Sequence, residues 1–166
     1  RDWSSDVCSS DLADVRPSHV VHLAARVGGI GYNQVDPARL YLDNLLMGTY
    51  VIEAARATGV EKTVLLGTVC SYPKFTPVPF REESLWDGYP EETNAPYGVA
   101  KKAHLLHAQV NAQQYGQRFA YLIPTNLYGP GDKFHPSVSH VIPALIKKCV
   151  EAHESGAGHI DVWGTG

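Results

Sequence analysis

Thr63-Val64-Leu65-Leu66-Gly67 decides the architecture: a short aliphatic run without polar alternation, ended by a glycine, is the signature of a buried strand. Upstream of it, Asp36-Pro37 supplies an N-cap and a first-turn proline. Leu42, Leu45, Leu46, Ile52 and Ala55 then mark one face of a helix that closes at Gly59. Further upstream, His19-Val20-Val21-His22-Leu23-Ala24-Ala25 is a second strand, followed by the glycine-rich turn Val27-Gly28-Gly29-Ile30-Gly31. Downstream, Ser71 to Pro96 is irregular and proline-rich, and connections this long inside a domain usually serve function. Helical spacing resumes from Tyr97 to Tyr115 and stops at Gly116, and Phe119-Ala120-Tyr121-Leu122-Ile123 is a third strand. A helix from about Val141 to Ala152 and a short strand, Ile160-Asp161-Val162-Trp163, complete the pattern. Strands separated by helices of this length predict a doubly wound parallel α/β sheet with right-handed crossovers. In such sheets ligands lie beyond the carboxyl ends of the strands.

Composition narrows the function classes. The 166 residues carry 14 Lys+Arg against 17 Asp+Glu, a net charge of −3 without blocks of like charge, so no nucleic-acid surface is predicted. No apolar run reaches the ~18 residues that span a bilayer, so no membrane partner is predicted and the chain reads as soluble and cytoplasmic. Cys8, Cys70 and Cys149 are odd in number and far apart, which fits neither a disulfide framework nor a zinc site. His104 and His107 lack a third ligand at sensible spacing and read as surface or interface residues, Cys149 as packing; no metal is predicted. Arg1 to Leu12, RDWSSDVCSSDL, has no period of 2 or 3.6 and reads as a non-native leader, leaving 13–166 for the fold.

Tyr97-Gly98-Val99-Ala100-Lys101 places a phenol and an ammonium four residues apart, on one helical face. A phenol titrating near ~10 is a poor acid-base group at neutral pH, and a neighbouring cation is expected to lower that value. Such a pair can deliver a proton to a carbonyl oxygen while hydride reaches its carbon. Thr68, just past the Thr63 strand, can donate a hydrogen bond to the same oxygen. A lone Tyr-x-x-x-Lys is also a common surface pair.

Its context is more specific. Leu66-Gly67-Thr68, then a proline-rich loop, then Asn94-Ala95-Pro96-Tyr97-x-x-x-Lys101, then Pro124-Thr125-Asn126-Leu127-Tyr128-Gly129-Pro130, resembles the extended short-chain dehydrogenase/reductases in order and spacing. Ala24-Ala25-Arg26-Val27-Gly28-Gly29-Ile30, Gly67-Thr68-Val69-Cys70-Ser71-Tyr72-Pro73-Lys74 and Phe134-His135-Pro136-Ser137-Val138-Ser139-His140-Val141-Ile142-Pro143-Ala144-Leu145 are similar to the GDP-L-fucose synthase branch. The resemblance implies a partial, Rossmann-like sheet, and makes 13–166 the central part of an NADP-binding domain with the start of a substrate-binding region. It implies NADPH as cofactor and GDP-4-keto-6-deoxy-D-mannose as substrate, epimerised at C3 and C5 and then reduced at C4. Thr68, Tyr97 and Lys101 match the catalytic set, with Cys70 removing protons and His140 returning them. A thiol ionises near ~8.5, so such a base works from its thiolate fraction. Leu66, Gly67, Thr68, Val69, Lys101, Pro124, Thr125, Asn126, Leu127 and His140 match cofactor contacts, and Lys148 and Trp163 match substrate contacts. Lys148 stands where arginine is usual, keeping the charge but not a bidentate fork. The resemblance also implies a homodimer through the two long helices.

Alternatives remain open at this point. The alternative reading of Cys70 is a small buried hydrophobe, and that of His140 a polar residue at a helix start. A nucleotide-sugar 4-epimerase needs no cysteine base, a 4,6-dehydratase would carry an Asp-Glu pair where Val69-Cys70 stands, and a non-catalytic cofactor binder typically loses the tyrosine or lysine. The Gly-x-x-Gly-x-x-Gly fingerprint is absent from the chain, and the resemblance places it upstream of Ala13. The 166 residues alone are therefore expected to bind NADPH weakly or not at all.

Overall fold

The computed structural model describes residues 5–28, 30–135 and 139–162. In chain order the elements are α1 (Ser5–Val15), β1 (His19–His22), α2 (Ile30–Val35), α3 (Pro37–Ala57), β2 (Lys62–Leu66), α4 (Ala95–Tyr115), β3 (Phe119–Leu122) and α5 (Val141–Ser155). Two short 3-10 helices, Val69–Ser71 and Glu82–Trp86, lie between β2 and α4. Residues 1–125 and 126–166 form two compact units.

The first unit holds a parallel sheet in the order β1-β2-β3, as the aliphatic runs predict. Val20 pairs with Thr63 and His22 with Leu65, while Leu65 pairs with Tyr121 and Thr63 with Phe119. Because side chains alternate along a strand, these residues share one face. Leu65, Ile52 of α3 and Ala108 of α4 form its core, with Phe119 and Tyr121 packed against them. Burying a side chain such as Leu65 or Ile52 contributes roughly 1.5–3 kcal/mol. The alternate positions Val21 and Leu122 are 59% and 51% exposed. The α3 and α4 helices thus serve as crossovers that lie on the Leu65 face.

Local signals explain the helix bounds. Asp36 takes the N-cap position of α3 with proline at the first turn, but its carboxylate caps nothing and lies 3.7 Å from Arg26. Gly59 and Gly116 follow α3 and α4 at φ of 73° and 71°, a left-handed conformation that glycine adopts without steric cost. Asn44, a poor residue for a helix interior, is buried in α3 because it has another task. Its Oδ1 accepts from the Arg26 N–H at 2.9 Å and its Nδ2 donates to the Arg26 and Leu40 carbonyls at 2.9 and 2.7 Å, tying the segment after β1 to α3.

Three expectations change. Ser5–Val15 is helical although Arg1–Leu12 shows no apolar period, because a stretch free of glycine and proline can form a helix without an apolar stripe. No strand forms over residues 160–162, and Trp163 lies outside the described residues. His104 is not a surface residue: it is 1% exposed, and its Nε2 lies 3.1 Å from the Leu45 carbonyl. Its ring occupies the space a side chain on Gly48 would fill, so Gly48 is the notch through which α3 and α4 close on each other.

Gly48→Ala is expected to drive the His104 ring from that notch and lower unfolding stability by about 1–3 kcal/mol. Denaturant titration checks this, and His104→Ala in the same chain should recover part of the loss. Equal stability of Gly48→Ala and the parent would refute the notch.

Candidate active site at the carboxyl ends of the strands

The β2 and β3 strands end side by side, and the Gly67 N–H continues their ladder by donating to the Leu122 carbonyl at 2.7 Å. Leu66, Gly67, Thr68 and Val69 therefore leave one strand, and Pro124 and Thr125 follow its neighbour, at the same sheet edge. Thr68 is 9% exposed and caps the 3-10 helix Val69–Ser71, its Oγ1 accepting from the Cys70 N–H at 3.2 Å. Ser71 is fully buried and donates to the Gly98 carbonyl at 2.9 Å. Gly98 faces the Cys70 carbonyl so closely that a Cβ there would overlap it. The backbone carrying Thr68 and Cys70 thus lies directly on the first turns of α4, where Tyr97 sits. The Cys70 side chain is half-buried and free of any disulfide.

The Lys101 side chain is 1% exposed, with its ammonium 5.7 Å from the centre of the Tyr97 ring. Burial pushes Lys101 down to about 8. Burial also pushes Tyr97 up to about 12, and the nearby Cys70 thiol adds to the rise. A lowered phenol was expected, and the correction has a physical cause: loss of water penalises the phenolate, and the ammonium 5.7 Å from the ring centre does not offset that penalty. At neutral pH Tyr97 therefore holds its proton and Lys101 retains its charge, the states suited to giving a proton to a carbonyl oxygen.

The proline-rich stretch after Cys70 is anchored at a few points. Tyr72 and Leu85 are buried, Lys74 pairs with Glu92 at 2.8 Å, and Lys102 of α4 places its ammonium 4.8 Å from the Trp86 ring. The adjacent lysines of α4 thus divide the work, Lys101 toward Tyr97 and Lys102 toward this stretch.

The remaining predicted residues lie in the second unit. Asn126 and Leu127 are exposed. His140 is exposed at the N-cap of α5 and makes no side-chain cap bond. Lys148 donates to the Asp161 carbonyl at 2.6 Å. Cys149 is exposed rather than packed, since it lies on the outer side of its helix. Among the described residues no group of His, Cys, Asp and Glu has the arrangement of a metal site, and no helix is long and apolar enough to cross a membrane.

Sequence reasoning missed His22 and Tyr121. His22 is 5% exposed at the end of β1, its ring edge-on to His104 with centres 6.5 Å apart, and its Nε2 has no hydrogen-bond partner. Burial, then Lys101 and then His104, lower His22 to about 4; burial is also the main cause of the fall of His104 to about 4. Tyr121 donates from its hydroxyl to the Lys101 carbonyl at 2.8 Å. A polar ring at a core-facing strand position was the available signal for both.

A parallel α/β sheet whose strand ends meet a Tyr-x-x-x-Lys helix and a hydroxyl-bearing loop has the architecture of a short-chain dehydrogenase/reductase. Residues 3–166 match the NAD dependent epimerase/dehydratase family, and the chain belongs to that family. It is 46% identical over 155 residues to the GDP-L-fucose synthase of Sinorhizobium fredii, covering 93% of this chain and 49% of that protein. It is 48% identical over 163 residues to a probable GDP-L-fucose synthase of Oryza sativa subsp. japonica, covering 98% and 49%. The crystal structure of a GDP-L-fucose synthetase from Naegleria fowleri bound to NADP superposes with a TM-score of 0.83 at 33% identity, covering 99% of this chain and 54% of that one. The chain is thus a homologue of GDP-L-fucose synthases and spans about half the length of the curated relatives it matches.

The buried imidazoles give the fold a pH dependence. Both are held near 4 against an ordinary 6.5, so the unfolded chain binds more protons between those values. Their contribution is complete above about pH 6.5 and is lost as pH falls through about 4. Each shift corresponds to roughly 3 kcal/mol, less when the two titrate together. Denaturant midpoints across this range should fall on acidification, and replacing His22 and His104 by glutamine should flatten the slope. An unchanged slope in that double variant would rule the imidazoles out.

Proposed function

We propose that the full-length protein carrying this chain converts GDP-4-keto-6-deoxy-D-mannose to GDP-L-fucose by epimerisation at C3 and C5 and reduction at C4. The observation that carries the reading is the seating of the Thr68–Cys70 loop on the Tyr97 turn of α4, fixed by Ser71 and by the missing side chain of Gly98. It puts a thiol, a hydroxyl and a phenol on neighbouring backbone. The similarity to GDP-L-fucose synthases supports this choice of substrate.

In this reading the C4 ketone acidifies the protons on C3 and C5. Cys70 removes them as a thiolate, and the family resemblance gives His140 the return of protons that inverts each centre through an enolate. Thr68 donates a hydrogen bond to the C4 oxygen. Tyr97, held protonated by burial, gives that oxygen its proton, and the Lys101 charge stabilises the phenolate left behind.

The residues present fit a nicotinamide cofactor. Lys101 offers a cation, Tyr97 and Thr68 offer hydroxyls, and Leu66 to Val69 together with Pro124 and Thr125 offer backbone at two adjoining strand ends. Bound NADPH would supply the hydride. Asn126 and Leu127 continue that loop, and Lys148 and Trp163 are assigned to the nucleotide of the substrate. A homodimer through α3 and α4 belongs to the same proposal, supported by the exposure of Leu106, Val110 and Tyr115 on α4.

Two variants of the full-length protein test the reading. Cys70→Ser is expected to lower deuterium incorporation at C3 and C5 in heavy water by at least about a hundredfold while the fold persists. Tyr97→Phe should lower carbonyl reduction by about 10²–10⁴-fold. If Cys70→Ser exchanges at the parent rate, the epimerase assignment is wrong and a plain reductase or 4-epimerase takes its place.

A further inference from the structure

We propose that Tyr121 is a positioning residue for the Tyr97–Lys101 pair: its ring wedges against Gly67 at the end of β2 while its hydroxyl tethers the Lys101 turn of α4. The role rests on the proposed function only where turnover is the readout. Tyr121 stands on β3 in register with Leu65, two residues before Gly67. A Cβ added to Gly67 would fall 2.5 Å from the ring, so the ring lies directly on the backbone that leads into Thr68. At the other end, the hydroxyl donates to the Lys101 carbonyl at 2.8 Å. One rigid side chain therefore spans the loop bearing Thr68 and Cys70 and the helix bearing Tyr97 and Lys101.

Packing alone does not account for the hydroxyl. A phenylalanine would fill the same space beside Ile52, Leu65 and Ala108 without placing a polar atom in the interior. A carbonyl in the middle of a helix already accepts from the N–H four residues on, so the bond is not needed to satisfy the backbone. What it adds is a lateral restraint on the one turn of α4 that carries the lysine. Tyr97 lies one turn earlier, close enough that its proximity adds to the effect of burial in pushing the Tyr121 phenol up. A looser tether would let α4 ride away from the strand ends and admit water to the Tyr97 hydroxyl. Reactions that depend on positioned groups lose rate steeply with such displacements.

Tyr121→Phe removes the tether and keeps the ring. In the full-length protein carrying ring-labelled tyrosine, with the Tyr97 signal assigned by its loss in Tyr97→Phe, the Tyr97 titration should move down from about 12 by roughly one unit as the phenol gains water. A purely packing role would leave it in place, and an unmoved titration overturns the proposal. In the full-length protein, kcat for carbonyl reduction should fall about tenfold with KM for the nicotinamide cofactor within about twofold. Normal kcat in Tyr121→Phe would also overturn it. If the parent protein shows no turnover while the Tyr97 titration still moves, the proposed function fails and the tether stands. Should Tyr121→Phe not fold, Gly67→Ala tests the same wedge from the other side, since its Cβ displaces the ring and should produce the same downward shift.

Discussion

Close backbone approach at two glycines is the constraint on which the rest of the site depends. Gly98 lets the carbonyl of Cys70 lie on α4, and Gly67 lets the ring of Tyr121 lie on the end of β2. Any side chain at either position would push the strand-end loop off the helix. Once the loop is seated, Ser71 closes it by donating to the Gly98 carbonyl, and Thr68 turns it into a short 3-10 helix that presents Cys70. The sheet below supplies rigidity, and the glycines supply the proximity. Functional groups held this way need no flexible reach, which is the arrangement that positional catalysis requires.

That proximity has an electrostatic cost. Lys101, His22 and His104 are all nearly excluded from water, and three basic groups cannot all be charged in so small a volume. The fold keeps the lysine charged at neutral pH and both imidazoles neutral, because burial and the lysine charge act on them in the same direction. Tyr97 is held protonated by the same exclusion of water. The interior behind the site is thus less stable than an apolar core of equal volume, a cost familiar where groups are arranged for chemistry.

Much of this was legible in the chain, and the reasons differ by element. The strands were read because aliphatic runs must be buried, and α3 and α4 because Pro37, Gly59 and Gly116 punctuate them. Tyr97, Lys101 and Thr68 were named because they fall at a strand end or on one helical turn, where local spacing fixes direction, whereas the role of Cys70 came from the family resemblance. His104 was misread as a surface residue because helical spacing gives a face without saying what packs on it. Its burial follows from Gly48, fifty-six residues away, an approach no local pattern encodes. Tyr121 and Asn44 were passed over for the same reason: each bonds a backbone carbonyl or amide in a distant segment.

The chain's own text determined which residues are apolar, where helices start and stop, and which chemical groups are available at the strand ends. Those properties depend on neighbours a few residues apart, and short-range sterics and hydrogen bonding decide them. The tertiary structure alone decided the ionisation of those groups and their mutual distances. Desolvation and charge coupling arise only when Lys101, His22 and Tyr97 are brought out of water together, and backbone contact at Gly98 and Gly67 arises only when helix and sheet close.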